Sequence, residues 1–242
     1  MNLKKLFRPK SLAVVGGYWT DFVLQGNHKL GFKGPIWHIN PTRTSSKKNK
    51  YYKNFKELPG IPDCVYIAVS RDLTVKVIKD FSSLGTGGAV CLASRFSETG
   101  SKKGLLRTKE LIKNSGAMPF LGPNCYGFIN YLDGVSVWSD QIAGKPAKNG
   151  IALICQSGTI GNTVSFNHRS LPIGYIISVG NQTCITIEDL IEYVLNDKRV
   201  TAIGIYAESF TNAELLIKAL EKAKQKKIPE AIVKVGRSKI SA

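Results

Sequence analysis

Short apolar runs alternate with longer amphipathic stretches along this chain, and a glycine punctuates most passages between them. Residues 12–15 form a run that stops at Gly16-Gly17. Residues 36–39 form one that stops at Asn40-Pro41, and residues 63–69 end on Val69 before Ser70-Arg71. Residues 89–93 and 118–121 repeat the pattern before Arg95-Phe96-Ser97-Glu98 and Gly122-Pro123-Asn124. Between them, residues 73–84 carry Val77, Ile78, Phe81 and Leu84 at helical spacing, and residues 101–114 are again helical. Parallel strands need a crossover, usually a helix, so this alternation predicts an α/β fold with a parallel sheet and helices on both faces.

Residues 131–149 lose that periodicity and contain Gly144 and Pro146, which predicts a crossing between two domains. The pattern then restarts. Apolar runs at residues 151–155, 175–179, 202–206 and 231–235 alternate with helical stretches at 159–168, 187–195 and 213–226. The expected organisation is a first domain over residues 1–130, a linker over 131–149 and a second parallel-sheet domain over 150–242. The second domain is expected to be incomplete at its C-terminal end, because the Gly236-Arg237-Ser238 turn would ordinarily feed another helix.

Charge separates the two halves. The chain has 242 residues and a net charge of +17, and residues 1–147 hold 22 basic against nine acidic residues. A polyanionic ligand therefore fits the first part better, whether nucleic acid, membrane surface or a phosphate-rich cofactor. No apolar stretch reaches the roughly 18 residues of a membrane helix. Five widely spaced cysteines without a CxxC pair, and three scattered histidines, speak for a reducing, cytoplasmic setting and against a structural zinc site.

In an open parallel sheet the ligand lies beyond the carboxyl ends of the strands. That edge gathers Gly16, Gly17, Tyr18, Asn40, Pro41, Arg71 and Arg95, with helix N-termini that attract phosphate. The GxGxxG dinucleotide fingerprint is absent after the first strand. In the second half, Gln156-Ser157-Gly158-Thr159 follows a strand and opens a helix, which makes it either an anion site or a plain helix cap. Glu208 ends a neighbouring strand, where a carboxylate could orient a histidine or simply be solvated. His28 falls in a helix, His38 in a strand and His168 at a helix end, so no serine triad assembles; Cys125 has no partner base.

Together these residues resemble the NDP-forming acyl-CoA synthetases, relatives of the succinyl-CoA synthetase α subunit. The resemblance rests on the opening run from Leu6-Phe7-Arg8-Pro9 to Gly16, on Asn40-Pro41, and on Phe96-Ser97-Glu98-Thr99-Gly100. Gly122-Pro123-Asn124-Cys125-Tyr126-Gly127, Gln156-Ser157-Gly158, Gly180-Asn181-Gln182, Tyr206-Ala207-Glu208 and Gly236-Arg237-Ser238 continue it in order.

The resemblance implies a Rossmann-like CoA-binding domain followed by a flavodoxin-like CoA-ligase domain. It implies that acid, CoA and ATP or GTP give acyl-CoA, ADP or GDP and phosphate through a phosphohistidine. By position, Gly16, Gly17 and Tyr18 would line the CoA loop, and Asn40, Pro41, Val69, Ser70 and Arg71 would approach its nucleotide part. Phe96, Ser97 and Glu98, with Pro123 and Asn124, would approach the pantetheine or pyrophosphate. Ser157 and Gly158 would hold the phosphohistidine phosphate, and Glu208 would orient the imidazole. In this family that histidine follows the Gly-Arg-Ser turn, and Mg with ATP/ADP or GTP/GDP binds an ATP-grasp module. Both would come from a separate subunit or a C-terminal region beyond Ala242.

CoA and a small carboxylate are the expected ligands, and a homo-oligomer is compatible with the sequence. Two other readings stand beside this one. The first is a non-catalytic CoA-binding or regulatory protein on the same scaffold. The second, disfavoured, is a nucleic-acid binder using the Lys-rich segment 43–56, with Tyr51, Tyr52 and Phe55, read as a surface loop and the start of a helix.

Overall fold

The computed structural model describes residues 1–46, 50–167 and 171–236. Strand β1 (Leu12–Gly16) pairs in parallel with β2 (Ile36–Ile39) on one side and β4 (Cys64–Ala68) on the other. Strands β3 (Tyr51–Tyr52), β5 (Ala89–Cys91) and β6 (Phe120–Leu121) complete an all-parallel sheet of order β3-β2-β1-β4-β5-β6. The direction of winding changes between β1 and β4, which opens a crevice beyond their carboxyl ends. Helices α2 (Tyr18–Leu30), α3 (Arg71–Leu84) and α4 (Lys102–Ser115) make the crossovers. Gly31 and Gly85 end the first two in the left-handed conformation, at φ 76° and 83°.

Side chains alternate across β1. Ala13 and Val15 enter a core with Val65, Ile67, Ile78 and Phe81, whereas Leu12 and Val14 enter one that reaches the second domain. That second core is continuous from Leu6, Phe7 and Tyr66 to Phe128, Ile154, Tyr175 and Ile191. Helix α1 (Lys4–Phe7) is its hinge pin. The Phe7 ring lies 4.9 Å from that of Phe128 and 4.8 Å from that of Tyr193, and the Phe7 carbonyl accepts from Asn130 Nδ2 at 2.9 Å. Arg8 pairs with Asp133 at 3.1 Å and with Asp197, while Arg199 bridges the same two carboxylates at 2.7 and 2.9 Å. Helix α2 makes a second join, since a Cβ on Gly26 would meet Ser136 Oγ at 2.6 Å.

The second sheet has the order β12-β11-β9-β10-β7-β8. Strands β9 (Gly150–Cys155), β10 (Ile173–Ser178), β11 (Val200–Ala207) and β12 (Glu230–Lys234) are parallel. Strands β7 (Gly127–Asn130) and β8 (Val135–Trp138) form an antiparallel hairpin on β10. The expected linker over 131–149 thus contains a strand, and the four expected strands are extended by two. Val135-Ser136-Val137-Trp138 is buried throughout, so its alternation of residue types does not separate a wet face from a dry one.

Helices α5 (Gly158–Ser165), α6 (Ile187–Leu195) and α7 (Ala213–Gln225) complete the domain, and Thr186 with Asp189 closes a capping box on α6. Among the described residues, no helix is long and apolar enough to cross a membrane. The expected placements of His168 and of the Arg237-Ser238 turn lie outside the described residues.

Candidate functional site

The first half of the site is the carboxyl edge of the first sheet. Gly16 has φ 138°, and a Cβ there would sit 2.3 Å from the Ala68 carbonyl oxygen, so β1 and β4 approach too closely for any other residue. Gly17 caps α2 without a side-chain hydrogen bond, and a Cβ built on it meets nothing within 4 Å. Tyr18 is exposed beside it. Asn40 Nδ2 donates to the Gly16 carbonyl at 2.8 Å, while its Oδ1 accepts from the Thr42 and Arg43 amides at 3.0 and 3.1 Å. Its polar atoms therefore shape the turns on both sides, and the carbonyl of exposed Pro41 is occupied by Lys53 Nζ at 3.0 Å.

Ser70 caps α3 and is exposed, with no side-chain cap bond, and Val69 beneath it is half-buried. Arg71 Nη1 donates to the Arg95 carbonyl at 2.7 Å. Phe96 departs from expectation. Its ring is wholly buried in the core under the sheet, so it anchors the loop and presents no side chain to a ligand. Tyr52, at the expected helix start, is also buried in that core as part of β3, and the Tyr51 ring packs on His38 beneath Arg43.

A cavity of about 680 Å³ joins this edge to the second domain. Leu92, Ser97, Glu98, Asn124, Cys125 and Tyr126 line one side, and Gln156, Ser157, Gly158, Thr159, Gly180, Asn181, Glu208 and Ser209 the other. Thus Ser97, Glu98, Asn124, Ser157, Gly158 and Glu208 come together. Gly16, Gly17, Tyr18, Asn40, Pro41, Val69, Ser70, Arg71, Phe96 and Pro123 do not line this cavity.

A chain of hydrogen bonds crosses between the two groups. Arg71 holds the Arg95 carbonyl, and the Arg95 amide donates to Glu98 Oε1. Asn181 Nδ2 donates to Glu98 Oε2 at 2.6 Å, and Asn124 Nδ2 donates to Asn181 Oδ1 at 3.4 Å. The Asn181 amide also donates to the Pro123 carbonyl at 3.0 Å. Arg95, Asn124 and Gln182 have φ of 70°, 60° and 52°, a conformation that costs each roughly 1–3 kcal/mol. The surroundings of this one region hold all three in place.

On the second side, Ser157 caps α5 without a side-chain bond, so the helix opens with unsatisfied amides. Gly158 is required there because a Cβ would lie 2.3 Å from Tyr126 Cδ2. Gln156 Oε1 accepts from the Glu208 and Ser209 amides at 2.8 and 3.0 Å, and Gln182 Nε2 donates to the Ser209 carbonyl at 3.1 Å. Two glutamines thus fix the backbone under an exposed Glu208 carboxylate that accepts no hydrogen bond among the described residues. Gln156, Asn181 and Tyr126 stood inside recognised motifs but had no assigned role. Burial pushes the Cys125 thiol up to about 12, which removes it as a nucleophile near neutral pH. No histidine among the described residues lines the cavity.

Residues 10–131 match the CoA binding domain family, and residues 148–242 match the succinyl-CoA ligase like flavodoxin domain. The chain belongs to the NDP-forming acyl-CoA synthetase-like family. It is 30% identical over 245 residues to the ADP-forming acetate–CoA ligase of Methanocaldococcus jannaschii, matching 99% of this chain and 34% of that protein. To the α subunit of ADP-forming acetate–CoA ligase II of Pyrococcus furiosus it is 28% identical, matching 98% of this chain and 52% of that subunit. The apo form of dinucleotide-forming acetyl-coenzyme A synthetase 1 from Candidatus Korarchaeum cryptofilum superposes with a TM-score of 0.88 at 27% identity, over 100% of this chain and 54% of that one. The chain therefore spans a third to a half of the length of these relatives. Within the family it corresponds to the CoA-binding and ligase-like portion, a Rossmann-like domain followed by a flavodoxin-like one.

Proposed function

We propose that this chain supplies the CoA site and the acyl-transfer chamber of an NDP-forming acyl-CoA synthetase acting on a small carboxylate. The observation that carries the reading is the single cavity in which Ser97, Glu98 and Asn124 of the CoA-binding side face the open end of α5 and Glu208. The uncapped, unobstructed turn at Gly17 fits a phosphate-bearing ligand, and the basic first domain would help recruit one. Gly16, Gly17 and Tyr18, with Ser70 and Arg71, would hold the nucleotide end of CoA, and Ser97, Glu98 and Asn124 its pantetheine end. When bound, CoA supplies the thiol that accepts the acyl group.

The chain's own residues then have defined tasks. The amides after Ser157 and Gly158 stabilise negative charge on a phosphoryl group, and the glutamine-pinned Glu208 offers an acceptor to an incoming imidazole N–H. That imidazole, the nucleotide and its Mg would be brought by a segment or subunit beyond these residues, of the ATP-grasp kind. The absence of a histidine from the described cavity lining also supports a second reading, a CoA-binding protein that regulates rather than catalyses.

Calorimetric titration of the folded chain with CoA, dephospho-CoA and NAD tests the proposal. CoA is expected to bind, dephospho-CoA more weakly and NAD least. A folded chain that ignores CoA overturns both readings. Acyl-CoA formation on adding an ATP-grasp subunit with its own histidine segment would favour the catalytic one.

A further inference from the structure

His38 lies on β2, only 5% exposed, and its Nε2 is within reach of two oxygens, Thr20 Oγ1 at 2.9 Å and the Gly16 carbonyl at 3.1 Å. The bonding pattern fixes the direction of each contact. A carbonyl oxygen only accepts, and the Thr20 hydroxyl already donates its single hydrogen to the Gly17 carbonyl. Nε2 therefore carries the proton and donates to both. Asn40 adds a second donor to the Gly16 carbonyl at 2.8 Å, and the Thr20 amide a second to the Gly17 carbonyl at 3.0 Å. The Gly16 carbonyl is thereby held from the β2 side and the Gly17 carbonyl by the first turn of α2, so neither is free to rotate. The amides of Gly17, Tyr18 and Trp19, which find no acceptor among the described residues, are left for a ligand.

We propose that His38 is a positioning residue: through Thr20 and the Gly16 carbonyl it sets the peptide planes of the β1–α2 turn so that three consecutive amides face an anionic ligand. The link to CoA rests on the proposed function; the clamp itself does not. A turn containing two glycines loses more conformational entropy on ordering than any other, so an unclamped turn would sample orientations that cannot bind. Burying a histidine for packing alone would leave its ring nitrogen unpaired, whereas here it is committed to the one turn that a ligand must meet.

Three variants test this. His38→Phe keeps a ring of similar size on β2 and removes the donor, His38→Gln places an amide N–H near Nε2, and Thr20→Val removes the hydroxyl at equal volume. Amide hydrogen exchange at position 20, whose N–H donates to the Gly17 carbonyl inside the clamp, is measured without ligand, and affinity is measured with CoA and dephospho-CoA. His38→Phe and Thr20→Val are expected to speed exchange at that amide and to weaken both ligands by about tenfold, the scale of one lost hydrogen bond. His38→Gln is expected to restore most of each. Folded His38→Phe or Thr20→Val protein with wild-type exchange at this turn overturns the clamp. Faster exchange in a protein whose wild type binds no CoA upholds the clamp and removes the CoA reading instead.

Discussion

Asn181 donates a 2.6 Å hydrogen bond to Glu98, and the two residues stand on loops that leave different sheets. The bond closes the gap between the end of β5 and the end of β10, directly over the cavity that both loops line. Glu98 is itself held by the Arg95 amide, so its carboxylate serves as a rigid acceptor rather than a mobile surface charge.

Replacing Asn181 by Ala is expected to cost about 1 kcal/mol, the net worth of one such bond in a partly solvated place. In a chain of this size that lowers the melting temperature by roughly 2–4 °C. Asn181→Asp, which sets a second carboxylate against Glu98, should lose more. Calorimetric melting at pH 7 checks both, and equal melting of all three proteins would show that the contact joins the domains in name only.

Gly158→Ala separates propensity from packing. In an exposed helix the change would stabilise by about 1 kcal/mol. Here the new Cβ would lie 2.3 Å from the Tyr126 ring, so a net loss of about 1–3 kcal/mol is expected from urea unfolding. Adding Tyr126→Ala should cost less in the Gly158→Ala background than in the wild type.

Acid should loosen the joint between the domains. Burial alone would raise the Asp197 carboxyl, but hydrogen bonds from Arg199 and Tyr175 and the charge of Arg8 hold it well below the usual range. Asp133, against the same burial, is lowered by Arg199, Asn130 and Arg8. Because both folded values lie below the unfolded ones, the stabilisation is complete above about pH 4 and is lost as pH falls below it. Melting temperature should therefore decline from about pH 4 downward, and Asp197→Asn should start lower and decline less steeply.

Thiol labelling should distinguish one cysteine from four. Cys64, Cys91, Cys125 and Cys155 are buried, with burial pushing Cys125 and Cys155 up to about 12, whereas Cys184 is half-buried. An aromatic disulfide reagent at pH 7.5 is expected to modify Cys184 alone in the folded protein, slowly, and all five after unfolding. Rapid labelling of Cys125 would mean that the cavity floor opens far more than its packing implies.

The parallel strands and their order of appearance were legible because strands buried on both faces must be apolar runs and each must be followed by a crossover. The hairpin of β7 and β8 was not, although Asp133-Gly134 between two apolar stretches is a turn signal. Its strands are short and buried throughout, so alternation carried no polarity. Pairing across the domain boundary with β10 is also a tertiary fact that local pattern does not contain. In the site, Ser157, Gly158 and Glu208 could be placed because strand ends predict an edge. Phe96 could not, since a residue one step along a strand-end loop is free to turn inward, and this one does. The roles of Gln156 and Gln182 were invisible for a related reason, as an amide that serves a backbone 52 residues away leaves no spacing to read.

Arg8 and Asp197 are 189 residues apart in the chain. A ribosome adding about 5–20 residues per second delivers the acid roughly 10–40 seconds after the base. For that interval Phe7 has the Phe128 ring and Arg8 has Asp133, but the Tyr193 ring and the Asp197 carboxylate are still missing, so the joint is half built. The joint therefore closes in two stages along the chain: residues 128–133 meet helix α1 first, and Tyr193 and Asp197 add the remaining ring and carboxylate contacts afterwards.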